Sequence, residues 1–270
     1  MHNSTYKNGI RLLLFLLTAA WFSPLSTLAA ERGQDSPNSV YLPLVTSPAV
    51  QSCRVSETTF GALRIKSAPT DIAAHNHPDL NLAFRGYSST EAPLQLVQYD
   101  GPTDDAAPQL EGLFSPARLP RFGSAYRVNN WDWECDCRAG PIGEWPVTLL
   151  GMETGPGEVL HVPQSGYDIG GGYEVMVLYA GRDRITLKYT ADDNVVVGYT
   201  LHIEDVCVAD DLLDLYEEMN AAGREYLPAL HEGQPFARAN GRQIKVAVRD
   251  SGAFMDPRTQ KDWWKSHPLP

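Results

Sequence analysis

Basic residues are scarce: 22 Lys and Arg stand against 33 Asp and Glu, a formal charge of −11 over 270 residues. That deficit excludes an electrostatic nucleic-acid binder, which needs a surplus of cations to displace the counterions of the phosphates. Long apolar runs are missing after the first thirty residues, so no later segment offers the roughly 20 apolar residues of a membrane-spanning helix. No internal repeat and no low-complexity tract is found. The run Gly170-Gly171-Gly172 lacks a following helix, a Walker lysine and a full G-x-G-x-x-G. It therefore reads as a tight turn or β-bulge and not as a phosphate cradle. No serine sits in a G-x-S-x-G elbow, which argues against a hydrolase of that type.

The first thirty residues have the layout of a secretory signal peptide. Lys7 and Arg11 form a basic start, Leu12 to Phe22 an apolar stretch, and Thr27-Leu28-Ala29-Ala30 a small-residue site before Glu31. An apolar core of about eleven residues is too short for about 30 Å of hydrocarbon, so cleavage after Ala30 is expected, without a membrane anchor. Losing Lys7 and Arg11 takes the charge from −11 to −13. No cysteine lies near the cut, which argues against a lipoprotein. Localisation is expected to be secreted or extracytoplasmic.

All four cysteines, Cys53, Cys135, Cys137 and Cys207, fall in the exported part, where disulfides persist. Pairing Cys135 with Cys137 would close a very small ring, so the expected arrangement ties each of them to Cys53 or Cys207. A C-x-C pair also suits a soft metal, but no second Cys/His pair stands at zinc-ribbon spacing.

Gly and Pro contribute 42 residues, and only 43% of the chain is apolar. Such a composition belongs to turns and short strands and predicts a mostly β protein. Residues 31–52, rich in Ser and Pro, read as a linker that contains Val40 to Val45, a candidate edge strand or surface-retention element. Residues 53–155 read as a β-rich N-terminal module with strands in Leu80 to Tyr87, Leu94 to Pro102, Ser124 to Trp133 and Trp145 to Met152. Stronger alternation continues through VLHVP, YEVMVLYAG, RITLKYT and NVVVGYTLHIEDVCV, with a late pair around Phe236 and Ile244 to Asp250. One helix interrupts the strands: Asp210 is a candidate cap, Leu212, Leu213, Tyr216 and Met219 form its apolar face, and Gly223 stops it.

The order of landmarks in residues 156–258 resembles the lysostaphin/LytM-like zinc endopeptidases of bacterial cell walls. Gln164 to Gly172 (QSGYDIGGG) is similar to the family's H-x-G-x-D-I opening, and Gly198 to Val206 to its Tyr-x-His-Leu strand. Leu230 to Gly241 is similar to its Gly-Gln turn, and Gln243 to Arg258 to its H-L-H-F-E ending. The resemblance implies a compact barrel-sandwich hybrid with one inserted helix, following the β-rich module and followed by a Trp-containing tail, residues 259–270. The family holds zinc with imidazoles and one carboxylate, leaving a position for the attacking water. Carried over, the carboxylate falls on Asp168, the first histidine on Gln164, and the terminal H-x-H on Gln243 and Lys245. The strand histidine is His202, displaced by one residue, which on a strand turns a side chain to the opposite face. The expectation is a degenerate site: a groove of Gln164, Asp168, Gln243 and Lys245 that binds a cell-wall glycan or peptide, or an envelope protein, without a cofactor. The alternatives are an active zinc endopeptidase on peptidoglycan, using Asp168, His202 and a substitute ligand such as His161, and a purely structural surface protein.

Two other constellations stand out. His75-Asn76-His77-Pro78-Asp79, with Asp71 upstream, groups imidazoles and carboxylates, but reads as a solvated Pro-containing turn. Asp132, Glu134 and Asp136 alternate with Trp131 and Trp133, and alternation on a strand puts the rings on a core face and the acids in solvent. Trp263-Trp264 is equally compatible with a lid that packs back and with an exposed contact patch.

Overall fold

The computed structural model describes residues 52–55 and 58–269; the expected signal peptide, and the linker up to Gln51 with its Val40–Val45 segment, lie outside them. The described chain belongs to one unit, Val50–Pro270. It is mostly β, as the composition predicts. The elements are β1 (Gly61–Arg64), α1 (Leu82–Arg85), β2 (Tyr87–Ser89), β3 (Phe122–Asp132), β4 (Cys137–Pro141), β5 (Leu149–Glu153) and β6 (Val159–His161). They continue as β7 (Val175–Gly181), β8 (Arg184–Lys188), β9 (Tyr199–Glu204), β10 (Val206–Val208) and α2 (Asp210–Ala221). The chain ends with β11 (Tyr226–Leu230), β12 (Pro235–Ala239), β13 (Gln243–Asp250), β14 (Ala253–Met255) and α3 (Gln260–Trp263).

Eleven strands form one antiparallel sheet in the order β1-β11-β7-β8-β9-β13-β5-β3-β2, with β14 on β13 and β4 on β3, and β10-β12-β6 form a second sheet. Neither closes into a barrel. The keystone is β13, which pairs through Ala247↔His202 with β9 and through Lys245↔Gly151 with β5. Its sequence explains the position. Ile244, Val246 and Val248 enter the main core, while Ala247 on the opposite face joins Leu82, Val128, Leu149 and Phe254 in a second, smaller core. A strand covered on both faces must be apolar on both.

This topology corrects the division at residue 155/156. Strand β5 lies in the first expected module and β13 in the second, yet they share a ladder, and β1 closes onto β11. The two halves of the chain build one sheet and share one main core.

The disulfides also differ from expectation. Cys53 pairs with Cys207 and Cys135 with Cys137. A turn between β3 and β4 brings the Cα atoms of the second pair to 5.3 Å, within the ordinary span of a disulfide, so the short spacing is no obstacle.

Other corrections follow from local chemistry. Leu80 to Tyr87 is not a strand: the Asn81 side chain accepts the Ala83 amide and starts α1, leaving only Tyr87 in β2. Leu94 to Pro102 contributes only one isolated bridge, Val97 to Thr259. Asp210 does not cap α2; its carboxylate accepts Ser52 Oγ and the Cys53 amide, and Ala209 holds the cap position. Gly223 ends the helix region at φ 98°, and Gly170, Gly171 and Gly172, all at positive φ, make the tight turn before β7.

Trp263 and Trp264 pack inward. Both are buried, and their indole N–H groups donate to Asp256 O at 3.0 Å and Pro257 O at 2.9 Å. Trp133 does the reverse of what alternation implies: it sits on the β3–β4 tip, 52% exposed, because β3 ends at Asp132. His77-Pro78-Asp79 is no solvated turn either. Asp79 is an internal anchor that accepts Arg85 Nη2 at 2.6 Å and Arg249 Nη1 at 2.8 Å.

Candidate functional site

The register of the large sheet decides whether the expected groove exists. Lys245 lies opposite Glu204, Glu204 opposite Arg184, and Arg184 opposite Gly181 at the C-terminal end of β7. Gln164 and Asp168 lie at the other end of the same strand, since the Ser165 amide donates to Glu174 and the Ile169 amide to Tyr173 O, just before Val175. The seven residues of β7 therefore separate the two pairs by about 20 Å. Gln164, Asp168, Gln243 and Lys245 do not line one groove.

Each has a local task instead. Asp168 Oδ1 accepts the Gly170 amide at 2.8 Å and shapes the glycine turn. The Gln164 carbonyl accepts the Gln109 amide at 2.8 Å. Gln243 Oε1 accepts Ser124 Oγ at 3.0 Å. The Lys245 ammonium pairs with Asp205 and lies over the rings of Tyr87 and Tyr126. Burial pulls its pKa down, but Asp205 and Tyr87 more than compensate and the net shift is upward.

Of the two candidate histidines, His202 is enclosed in the fold and His161 is half-buried. His202 is 1% exposed, stacked on Phe254 at 5.9 Å between centroids. Thr186 spends its hydroxyl proton on Leu80 O at 2.6 Å, so His202 Nδ1, 3.0 Å away, is the donor to Thr186 Oγ1. The ring is then neutral with a bare Nε2, and that atom has no partner. Burial lowers its pKa well below the usual range, helped by Arg249, Arg85 and Lys188 and opposed by Asp79. His161 stands in β6 opposite Pro235, its Nδ1 likewise unpartnered and its pKa lowered by burial. Among the described residues no group of three or more His, Cys, Asp or Glu side chains converges as a metal site.

A different place has the features of a binding site. A cleft of about 340 Å3 opens between the loop from Tyr99 to Asp104, Trp145, the β13–β14 hairpin and α3. Its position follows from two pinned segments. The Val97 amide donates to Arg258 O at 3.0 Å and the Gln260 amide to Val97 O at 2.9 Å, which ties the loop to the chain entering α3. Behind it Asp256 and Arg258 form a buried pair, and Tyr99 OH donates to Asp256 Oδ2 at 3.1 Å.

Aromatic rings and carboxylates alternate around this cleft. Tyr99 and Trp145 meet edge to face at 4.8 Å between centroids, and Tyr199 and Trp263 at 5.6 Å. Asp100, Asp104, Asp250 and Asp262 line it against one cation, Lys261, giving a local charge of −3. Asp104 is the best organised: Oδ2 accepts Tyr167 OH at 2.6 Å and Tyr199 OH at 3.1 Å, while Oδ1 accepts the Ala106 amide at 2.8 Å. The Tyr167 hydroxyl, ahead of the other donors, lowers the pKa of Asp104. Conversely, its bond to Asp104 raises Tyr167 to about 12, and burial chiefly raises Tyr199. Asp104 is thus fixed as an anion and the tyrosines as neutral donors.

The sequence did not single out this site, because the Tyr99–Asp104 loop, Trp145, Tyr199 and Asp250 come from four separated segments. The only local signal is the acidic, turn-rich stretch from Asp100 to Asp105. Comparisons with family models, with curated proteins and with solved structures yield no match to this chain.

Proposed function

We propose that the protein is an exported, non-catalytic module of the cell envelope that binds a wall polymer carrying amino groups in the cleft of Tyr99, Trp145 and Tyr199. The observation that carries this reading is the edge-to-face pair of Tyr99 and Trp145 beside four carboxylates in an open cleft. Aromatic rings offer flat apolar surface to sugar rings, and carboxylates accept hydroxyl and ammonium protons in charge-assisted bonds. A local charge of −3 repels phosphate-rich polymers and favours amino sugars or the free amines of wall peptides. Export is supported by the disulfide state of all four cysteines. Recognition of cationic groups is supported by Asp104, which its hydrogen bonds hold as an anion. The reading is independent of the zinc-endopeptidase pattern, whose positions lie at opposite ends of β7.

Calorimetry with glucosamine oligosaccharides, their N-acetylated counterparts and a phosphate-rich wall polymer tests it. The amine-bearing oligosaccharide is expected to bind best. Trp145→Ala is expected to weaken it at least about tenfold, or about 1.4 kcal/mol. Preference for the polyanion, or undiminished binding by Trp145→Ala, overturns the proposal.

A further inference from the structure

The two disulfides differ in loop length and in exposure, both of which bear on exchange with thiols. Cys53–Cys207 joins residues 154 apart, and Cys53 is 1% exposed. A bond that closes so long a loop restricts the unfolded chain strongly. Cys135–Cys137 joins residues two apart, so it removes little freedom from the unfolded chain. All of β4 is exposed, as are both cysteines and the turn between them.

The hairpin that carries this bond is held by other means. Trp131 pairs with Arg138 and Asp132 with Cys137 across the β3–β4 ladder. Trp131 Nε1 donates to Asp136 Oδ1 at 3.3 Å, and the Glu134 amide to Asp132 Oδ1 at 2.9 Å. The Arg138 guanidinium anchors the hairpin on the carbonyls of Ala83 and Phe84, and Trp133 meets His77 edge to face at 5.9 Å. Asp136, between the two cysteines, sits at φ 51°, a conformation that residues other than glycine seldom adopt. None of these contacts runs through the disulfide itself.

We propose that Cys135–Cys137 is a thiol–disulfide exchange site that oxidises a dithiol of an exported polypeptide whose cysteines are flanked by basic residues. A partner thiolate attacks the sulfur of Cys135 or Cys137. The S–S bond breaks, its electron pair leaves on the other sulfur, and that thiolate takes a proton from water. The second thiolate of the partner then attacks the partner's own sulfur in the mixed disulfide and expels the remaining cysteine. Two electrons and two protons pass from the partner, which gains a disulfide, to Cys135 and Cys137, which become thiols. In-line attack requires an open path to sulfur, and only this pair lies on a fully exposed hairpin tip.

Charge sets the partner class. Asp132, Glu134 and Asp136 surround the bond, and the nearest cation, Arg138, is committed to the carbonyls of α1. Anionic thiols are repelled from such a tip and cationic ones drawn to it.

The test uses the full oxidised chain, exposed in turn to cysteamine, to 2-mercaptoethanesulfonate and to a reduced peptide with two cysteines between lysines. Free thiols are trapped by alkylation over time and assigned by peptide mass spectrometry. Cys135 and Cys137 are expected to be labelled at least about tenfold faster than Cys53 and Cys207. Cysteamine is expected to act faster than the sulfonate, with the gap narrowing in salt, and the lysine-flanked peptide to emerge with its own disulfide. The double variant Cys135→Ser, Cys137→Ser is expected to keep the wild-type melting temperature and to leave the peptide reduced. Equal labelling of the two pairs, no oxidation of the peptide, or a double variant that fails to fold overturns the proposal.

Discussion

Arg224 clasps Asp193 through two parallel N–H···O bonds, Nε to Oδ2 at 2.9 Å and Nη2 to Oδ1 at 2.6 Å, with both side chains buried. The rest of the guanidinium is satisfied by Tyr216 OH, Asn220 Oδ1 and Leu178 O, so one residue after α2 fixes the helix to β7. Removing one partner strands a charge in the interior. Arg224→Ala and Asp193→Ala are each expected to cost about 3–5 kcal/mol, and the double variant less than their sum. Urea unfolding of the four-member cycle measures the coupling.

Strong acid should act through Asp79. Burial works to raise its pKa, but Arg249 and Arg85 together outweigh burial and hold it at about 2. A folded-state value below the unfolded one means stability that is present above about pH 4 and lost as pH falls toward 2. The contribution at neutral pH is about 2–3 kcal/mol, and Asp79→Asn, which leaves two buried arginines facing an amide, should abolish it. Chemical denaturation from pH 5 to pH 2 should show the loss in wild type and a flatter profile in the variant.

His202 acts in a separate window. Its folded pKa lies well below the model-peptide value of about 6.5, because burial and the nearby Arg249 disfavour the imidazolium. The unfolded chain therefore takes up the proton first, and stability declines as pH falls through about 6.5 by about 1.4 kcal/mol per unit for this residue. His77 and His161, lowered in the same direction, add to the slope. Melting curves between pH 8 and pH 5 should show the decline, and His202→Gln should reduce it.

The long-range disulfide should carry most of the covalent stabilisation. Cys53→Ser with Cys207→Ser is expected to cost about 2–5 kcal/mol, against much less for the pair at 135 and 137. Midpoints in guanidinium chloride under non-reducing conditions compare the two.

The tail is a structural element. Trp264 is fully buried against Phe122, ring centroids 5.7 Å apart, so Trp264→Ala is expected to cost about 3–5 kcal/mol. Truncation before Thr259 should be worse, since it also removes the bridge to Val97.

Most strands were legible because period-two alternation is a local property. Val175 to Gly181, Arg184 to Lys188 and Gln243 to Asp250 declare themselves by their branched residues, and α2 by the spacing of Leu212, Leu213 and Tyr216. The reading failed where one polar side chain decides. Asn81 turned an alternating stretch into a helix, and Asp79 turned a Pro-containing loop into a buried ion-pair node. The aligned groove of Gln164, Asp168, Gln243 and Lys245 failed for another reason: order along the chain does not say at which end of a strand two segments will meet. The aromatic cleft was hidden because only the folded chain brings Tyr99, Trp145 and Tyr199 together.

The central place of β13 has a consequence for the order of assembly. It is the strand that joins β9 on one side to β5 on the other, and it follows β5 only after β6 to β12 have been made. A chain emerging N-terminus first can form the β7–β8–β9 meander early, but the edge of β5 that faces β13 must wait until Gln243–Asp250 has been made. Such late, long-range closure slows folding and leaves strand edges open to mispairing.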